Sequence, residues 1–133
     1  MPFELKILVW GCLLGLVHIF AAGHVRTRQY GAAWNMSARD EAMPPPKPMV
    51  GRLLRAQANY FETFPIVAAL LLFDGLGGLG TRWTAIGAGL WLGARIVYLP
   101  LYAFGVPIVR TLVWTVGFAG LLLLLWPPLL LAL

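Results

Sequence analysis

The sequence predicts an all-α integral membrane protein, built as an antiparallel bundle of four transmembrane helices. Three observations carry that prediction. Apolar residues make up 60% of the 133-residue chain and charged residues only 11%, whereas a soluble domain carries about 25% charged side chains. Mean hydropathy is +0.80, so lipid has to stand where water would otherwise meet the surface. Four segments reach the roughly 20 mostly apolar residues that a spanning helix needs. The length suits a single domain over residues 1–133. The apolar runs are continuous, with no period of two, which argues against a β-barrel.

The first span runs from about Phe3 to Gly23. Its charged start holds Glu4 as well as Lys6, and the apolar stretch reaches Ala22, longer than the core of about 7–15 residues in a signal peptide. It reads as a retained span. Cys12 is the only cysteine, so no intrachain disulfide and no cysteine metal site is expected, and the thiol is most simply filler. A long polar connection follows, from about Arg26 to Met49, and its Pro44-Pro45-Pro46 run is predicted to be extended. The second span runs from about Val50 to Phe73 and stops at Asp74-Gly75-Leu76-Gly77-Gly78. The third, from about Trp83 to Phe104, is closed by Gly105-Val106-Pro107. The fourth covers about Ile108 to Leu131, with Pro127-Pro128 expected to disturb its last turns. Short later connections make successive helices antiparallel neighbours.

Charge sets the expected orientation. Arg26, Arg28, Arg39, Lys47 and Arg52 surround the long loop, and Arg110 follows the third connection on the same side. Lys6 and Arg82 lie on the other. The positive-inside rule then places the long loop in the cytoplasm and both termini opposite, with Trp83 and Trp126 at interfacial positions. The net charge of +5 is gathered in one loop instead of interleaved with aromatics. That pattern disfavours nucleic acid as a partner and favours lipid headgroups and anionic ligands.

The functional signal is charge inside the spans. Arg55, Asn59 and Glu62 fall within about 60° of one another on a helix, with Arg52 at the edge of the stripe. Arg95, Tyr98 and Tyr102 share a face of the third span. Antiparallel packing brings both stripes to the same half of the bilayer. An ionised side chain at the bilayer centre costs about 2.5–3.5 kcal/mol even on a lenient scale, so these groups are expected to face protein, water or a ligand. One glutamate cannot neutralise two arginines, and the excess positive charge suits a carboxylate or a thiolate. The structural alternatives are ordinary: Glu62 pairs with Arg55 or Arg95 to fix register, Asn59 bridges helices, and the tyrosines fill the bundle. Pro65 either bends the second helix beside the stripe or is an ordinary membrane-helix proline. Spacing alone favours a snorkelling, topology-setting role for Arg110. His18 and His24 have no carboxylate at ligand spacing, so no metal is expected there.

Arg52-Leu-Leu-Arg55-Ala-Gln-Ala-Asn59-Tyr-Phe-Glu62-Thr-Phe-Pro65 resembles the second-helix signature of the MAPEG family, membrane-associated proteins in eicosanoid and glutathione metabolism. Ala94-Arg95-Ile-Val-Tyr98-Leu-Pro-Leu-Tyr102 is similar to that family's third-helix motif, and Gly23-His-Val-Arg26-Thr-Arg28 to the end of its first helix. The resemblance covers nearly the whole chain. It implies a homotrimer of four-helix subunits with glutathione, as cosubstrate, between neighbouring subunits. It assigns glutathione contacts to Arg26, Arg55, Asn59, Glu62, Arg95, Tyr98 and Tyr102, and places Arg110 beside the sulfur as the catalytic cation. The activity it implies is that of a transferase or peroxidase acting on lipophilic electrophiles reached through the membrane lipid. A non-catalytic lipid-binding or scaffold protein of the same fold is the alternative. A proton or ion pathway fits less well, because the polar stripes occupy one half of the bilayer.

Overall fold

A computed structural model describes all residues from Met1 to Leu133. Five helices follow one another: α1 (Phe3–Tyr30), α2 (Ala32–Met36), α3 (Pro48–Leu76), α4 (Arg82–Ala103) and α5 (Pro107–Ala132). All but α2 are long and apolar enough to cross a membrane, and no strand forms. The spans lie where hydropathy placed them, with one clear extension. α1 runs seven residues past the expected end at Gly23, because the helix continues after its apolar face has ended. Gly31, with φ of 92°, stops it in a backbone region that suits glycine.

The long connection is pinned to the end of α1. Gln29 Nε2 donates to Pro45 O (3.1 Å), Lys47 N donates to Gln29 Oε1 (2.8 Å), and Tyr30 Oη donates to Pro44 O (2.6 Å). Three consecutive prolines offer carbonyls but no N–H, so side chains from α1 supply the donors. Pro48 then opens α3, where its missing donor costs nothing. At the far end, Thr81 and Thr84 exchange reciprocal side-chain bonds at the start of α4: Thr84 N donates to Thr81 Oγ1 at 3.2 Å, and Thr81 N to Thr84 Oγ1 at 2.7 Å. α3 remains a single helix through Pro65. α5 likewise continues through Pro127 and Pro128 to Ala132, where disturbance was expected. The fixed proline φ is itself helical, and the terminal turns have room outside the bundle to accommodate the rings.

α4 packs most extensively on α5, and α1 on α3; α3 and α4 join the two pairs, and α1 does not touch α5. The bundle is therefore a rhombus with α1 and α5 at opposite corners. Small residues set the closest crossing. A Cβ added at Gly87 would lie 2.6 Å from Gly120 O, so α4 and α5 meet backbone to backbone. Tyr60 is the hub of the core: fully buried, it donates to Gly11 O and stacks on His18 and Phe64 at 4.7 and 5.1 Å. Phe64 stacks in turn on Trp91 at 5.8 Å. Only 26 of 133 residues are buried. Trp10, Phe20, Leu112 and Leu131 all point outward, a surface made for lipid or for neighbouring chains.

Candidate functional site

The polar residues of α3 and α4 meet at the end of the bundle that carries the long loop, and they divide into two layers. The inner layer is built on Arg95, which is 3% exposed. Its Nη1 donates to Asn59 Oδ1 at 2.7 Å, while Nη2 donates to Thr63 Oγ1 at 2.6 Å and to Asn59 O at 3.3 Å. The guanidinium lies 5.3 Å from the Tyr98 ring centre and 5.8 Å from that of Tyr60. A buried cation is thus held by amide, hydroxyl and backbone oxygens between two aromatic faces, an arrangement that a planar guanidinium fits well.

The outer layer is built on Tyr102. Arg55 Nε donates to its hydroxyl oxygen at 3.2 Å. Arg110, from the first turn of α5, lies 4.8 Å from its ring centre. Tyr98 meets Tyr102 edge-on at 5.5 Å and links the two layers. One turn nearer the loop, Arg52 Nε donates to Ala103 O at 2.8 Å. That contact places a cation on the carbonyl end of α4, where the helix dipole favours it. It fixes the turn Phe104–Pro107 from which Arg110 is presented. Arg55 and Glu62 are exposed, and Arg110 and Tyr102 are half-buried.

One structural alternative raised by the sequence is not realised in this geometry. The ion pair between Glu62 and Arg55 or Arg95 does not form: Arg95 bonds to Asn59 and Thr63, Arg55 bonds to Tyr102, and Glu62 points out of the chain. Arg95 faces into the bundle, and its hydrogen bonds go to α3. Its position explains Asn59, whose amide is oriented by it. Thr63 was missed, although it continues the Arg55–Asn59 series at i+4. Its hydroxyl is too ordinary in a membrane helix to have been singled out.

Arg26 stands apart. It lines a recess with His24, Thr27, Asn35, Arg39 and Gln57, and its Nε is buried without a partner. Gln57 follows Arg55 by two residues, about 200° around α3. The recess of Arg26 is therefore on the opposite flank of α3 from Arg55. α1 and α5 also occupy opposite corners of the bundle, so Arg26 and Arg110 of one chain do not converge.

Four antiparallel apolar helices enclosing a buried arginine, with a second arginine–tyrosine layer at one end, define an integral multi-pass membrane protein. Compared with known families, the chain matches the MAPEG family over residues 7–130. It belongs to that family, whose members are membrane proteins of glutathione and eicosanoid metabolism. No curated protein and no solved structure matches it.

Proposed function

We propose that the chain is a glutathione-dependent transferase or peroxidase acting on lipophilic electrophiles, with Arg110 as the cation that holds the glutathione thiolate. The observation that carries this reading is that Arg110 from α5 and Arg55 from α3 both meet Tyr102, one over its ring and the other at its hydroxyl. Glutathione has two carboxylates, an amine and a thiol, so it asks for several arginines and one acid. Arg55 and Glu62 offer such a pair from the exposed face of α3, with Asn59 held beside them by Arg95. Arg95 and Tyr98 act in this reading as positioning residues, and Tyr102 as the contact between Arg55 and the reacting end.

A free thiol with pKa near about 8.5 is mostly protonated at neutral pH. A guanidinium near the sulfur lowers that value, and each unit corresponds to about 1.4 kcal/mol of preference for the thiolate. The thiolate forms a thioether with an apolar electrophile delivered from the bilayer, by displacing its leaving group or by adding to an activated double bond that then takes up a proton. With a lipid hydroperoxide it attacks the terminal oxygen, and the O–O bond breaks to release the lipid alcohol. A second glutathione reduces the resulting sulfenic acid to the disulfide and water.

The same geometry favours sites between subunits, and the family resemblance makes the assembly a homotrimer. Arg55 and Glu62 sit on a spanning helix yet face out of the single chain, where lipid would cost each of them a few kcal/mol. A neighbouring chain that covers this face brings its own Arg26, which has a buried donor without a partner and lies on the other flank of α3. In this reading the loop end of the bundle is cytoplasmic, following the basic residues Arg26, Arg28, Arg39 and Lys47.

The test is turnover in proteoliposomes with glutathione and a panel of hydrophobic electrophiles and hydroperoxides. Glutathione-dependent conjugation or reduction, weakened by Arg55→Ala and abolished by Arg110→Ala, is the expected result. Saturable binding of glutathione and lipid with no product in any reaction would assign the chain to the non-catalytic alternative.

A further inference from the structure

At the end of the bundle away from the arginines, the start of α1, the last turns of α3 and the first turn of α4 gather two acids that the proposed reaction does not use. Glu4 is 4% exposed and Asp74 is fully buried. Glu4 Oε1 accepts a hydrogen bond from Thr84 Oγ1 at 2.7 Å, and neither oxygen of Asp74 has a partner. Both acids line a recess of about 390 Å³, together with Thr81 and the glycine turn containing Gly75, Gly78 and Gly80. A Cβ built at Gly80 would lie 3.2 and 3.4 Å from the two Glu4 oxygens, so glycine here keeps the outer side of that carboxylate clear.

We propose that this recess binds a divalent, oxygen-seeking cation between Glu4 and Asp74. Two carboxyl groups line it, the side chain bonded to Glu4 is a neutral hydroxyl and Asp74 has no partner, so no cationic side chain of the bundle is hydrogen-bonded to either acid. A buried carboxylate with both oxygens unpaired is among the costliest polar groups to leave in a protein. The donors are all hard oxygens. The single cysteine and both histidines lie elsewhere along α1, which disfavours soft and borderline metals. The sequence-based expectation of no metal rests on that cysteine and those histidines and does not weigh Glu4 or Asp74. No set of three acidic, histidine or cysteine side chains is assembled, but Mg²⁺ needs none, since it is commonly held by one or two carboxylates and keeps several waters. A water occupies about 30 Å³, so the recess has room for a partly hydrated ion.

Trp83, two residues beyond Thr81, makes the site observable. Terbium added to the full-length protein in zwitterionic nanodiscs should give saturable luminescence sensitised by tryptophan, displaced by Mg²⁺ or Ca²⁺. Asp74→Asn and Glu4→Gln should each lose most of that signal. Gly80→Ala keeps both charges but crowds Glu4, and should weaken the apparent affinity. A second readout guards against misfolding. Mg²⁺ should raise the thermal midpoint of the parent and leave Asp74→Asn unmoved, whereas in chelator Asp74→Asn should melt above the parent, because an uncompensated charge is gone. No saturable signal from a fully helical parent would overturn the proposal and leave the two acids sharing protons. A signal indifferent to both Asp74→Asn and Glu4→Gln would overturn it equally.

Discussion

Replacing Asn59 with leucine tests the inner layer of the site at a single atom. The change removes Oδ1, the 2.7 Å acceptor of Arg95 Nη1, and keeps the backbone oxygen and Thr63 as acceptors of Nη2. At 3% exposure the orphaned donors cannot turn to water. Hydrogen bonds to charged groups are worth about 1.5–3 kcal/mol in soluble proteins. Polar contacts between membrane helices average about 0.6 and reach about 1.7 kcal/mol, because a helix separated in the bilayer also finds partners. Arg95 belongs at the top of the membrane range, since its bond to Asn59 Oδ1 is charge-assisted, short and buried. The expected loss is about 1.5 kcal/mol. The triple change Asn59→Leu, Thr63→Val, Arg95→Met removes the donor together with its side-chain acceptors. It should return stability to within about 0.5 kcal/mol of the parent, as apolar replacement of a buried polar network often does. Unfolding in mixed micelles, followed by circular dichroism, measures both. Unchanged stability in Asn59→Leu, or a triple variant as unstable as the sum of its parts, would refute the clamp.

Other outcomes follow from the same geometry. Arg55→Lys keeps the charge but loses the Nε donor to Tyr102; KM for glutathione should rise about tenfold, equivalent to about 1.4 kcal/mol, with a smaller effect on kcat. Gly120→Val places side-chain carbons where the backbone of Gly87 and Trp91 already lies; a loss of about 1–3 kcal/mol is expected from overpacking, read by thermal unfolding. Mixing Arg26→Ala with Arg110→Ala subunits should restore activity that neither has alone, in about a quarter of the sites of a randomly mixed trimer. No recovery would mean that Arg26 and Arg110 serve the site from the same chain.

Much of the fold was legible because a bilayer asks one simple thing of a sequence, an apolar length, and four segments supply it. The helix ends were less legible where polarity and helix stop coincide poorly. α1 continues to Tyr30 because leaving hydrocarbon does not oblige a helix to end, and only Gly31 stops it. The polar stripe of α3 was visible from spacing, but its wiring was not. Glu62 looked like the natural partner of the arginines by charge. Arg95 instead chose an amide and a hydroxyl, because α4 packs on the side of α3 that presents Asn59 and Thr63. Arg110 illustrates the opposite case: a snorkelling arginine and a site arginine look alike in sequence, and only the Phe104–Pro107 turn decides that it reaches Tyr102. Asp74 passed as part of a helix stop, since nothing in a linear pattern says that Glu4 will lie beside the same recess.

Catalysis at this site requires that a cation hold the glutathione sulfur as an anion. Ultraviolet absorbance of the thiolate, recorded as glutathione is added to the purified protein at neutral pH, reads that directly. A saturable thiolate band in the parent is expected, nearly absent in Arg110→Ala and regained only as pH climbs toward the pKa of the free thiol near about 8.5. Tight binding of glutathione by the parent with its sulfur still protonated would contradict it.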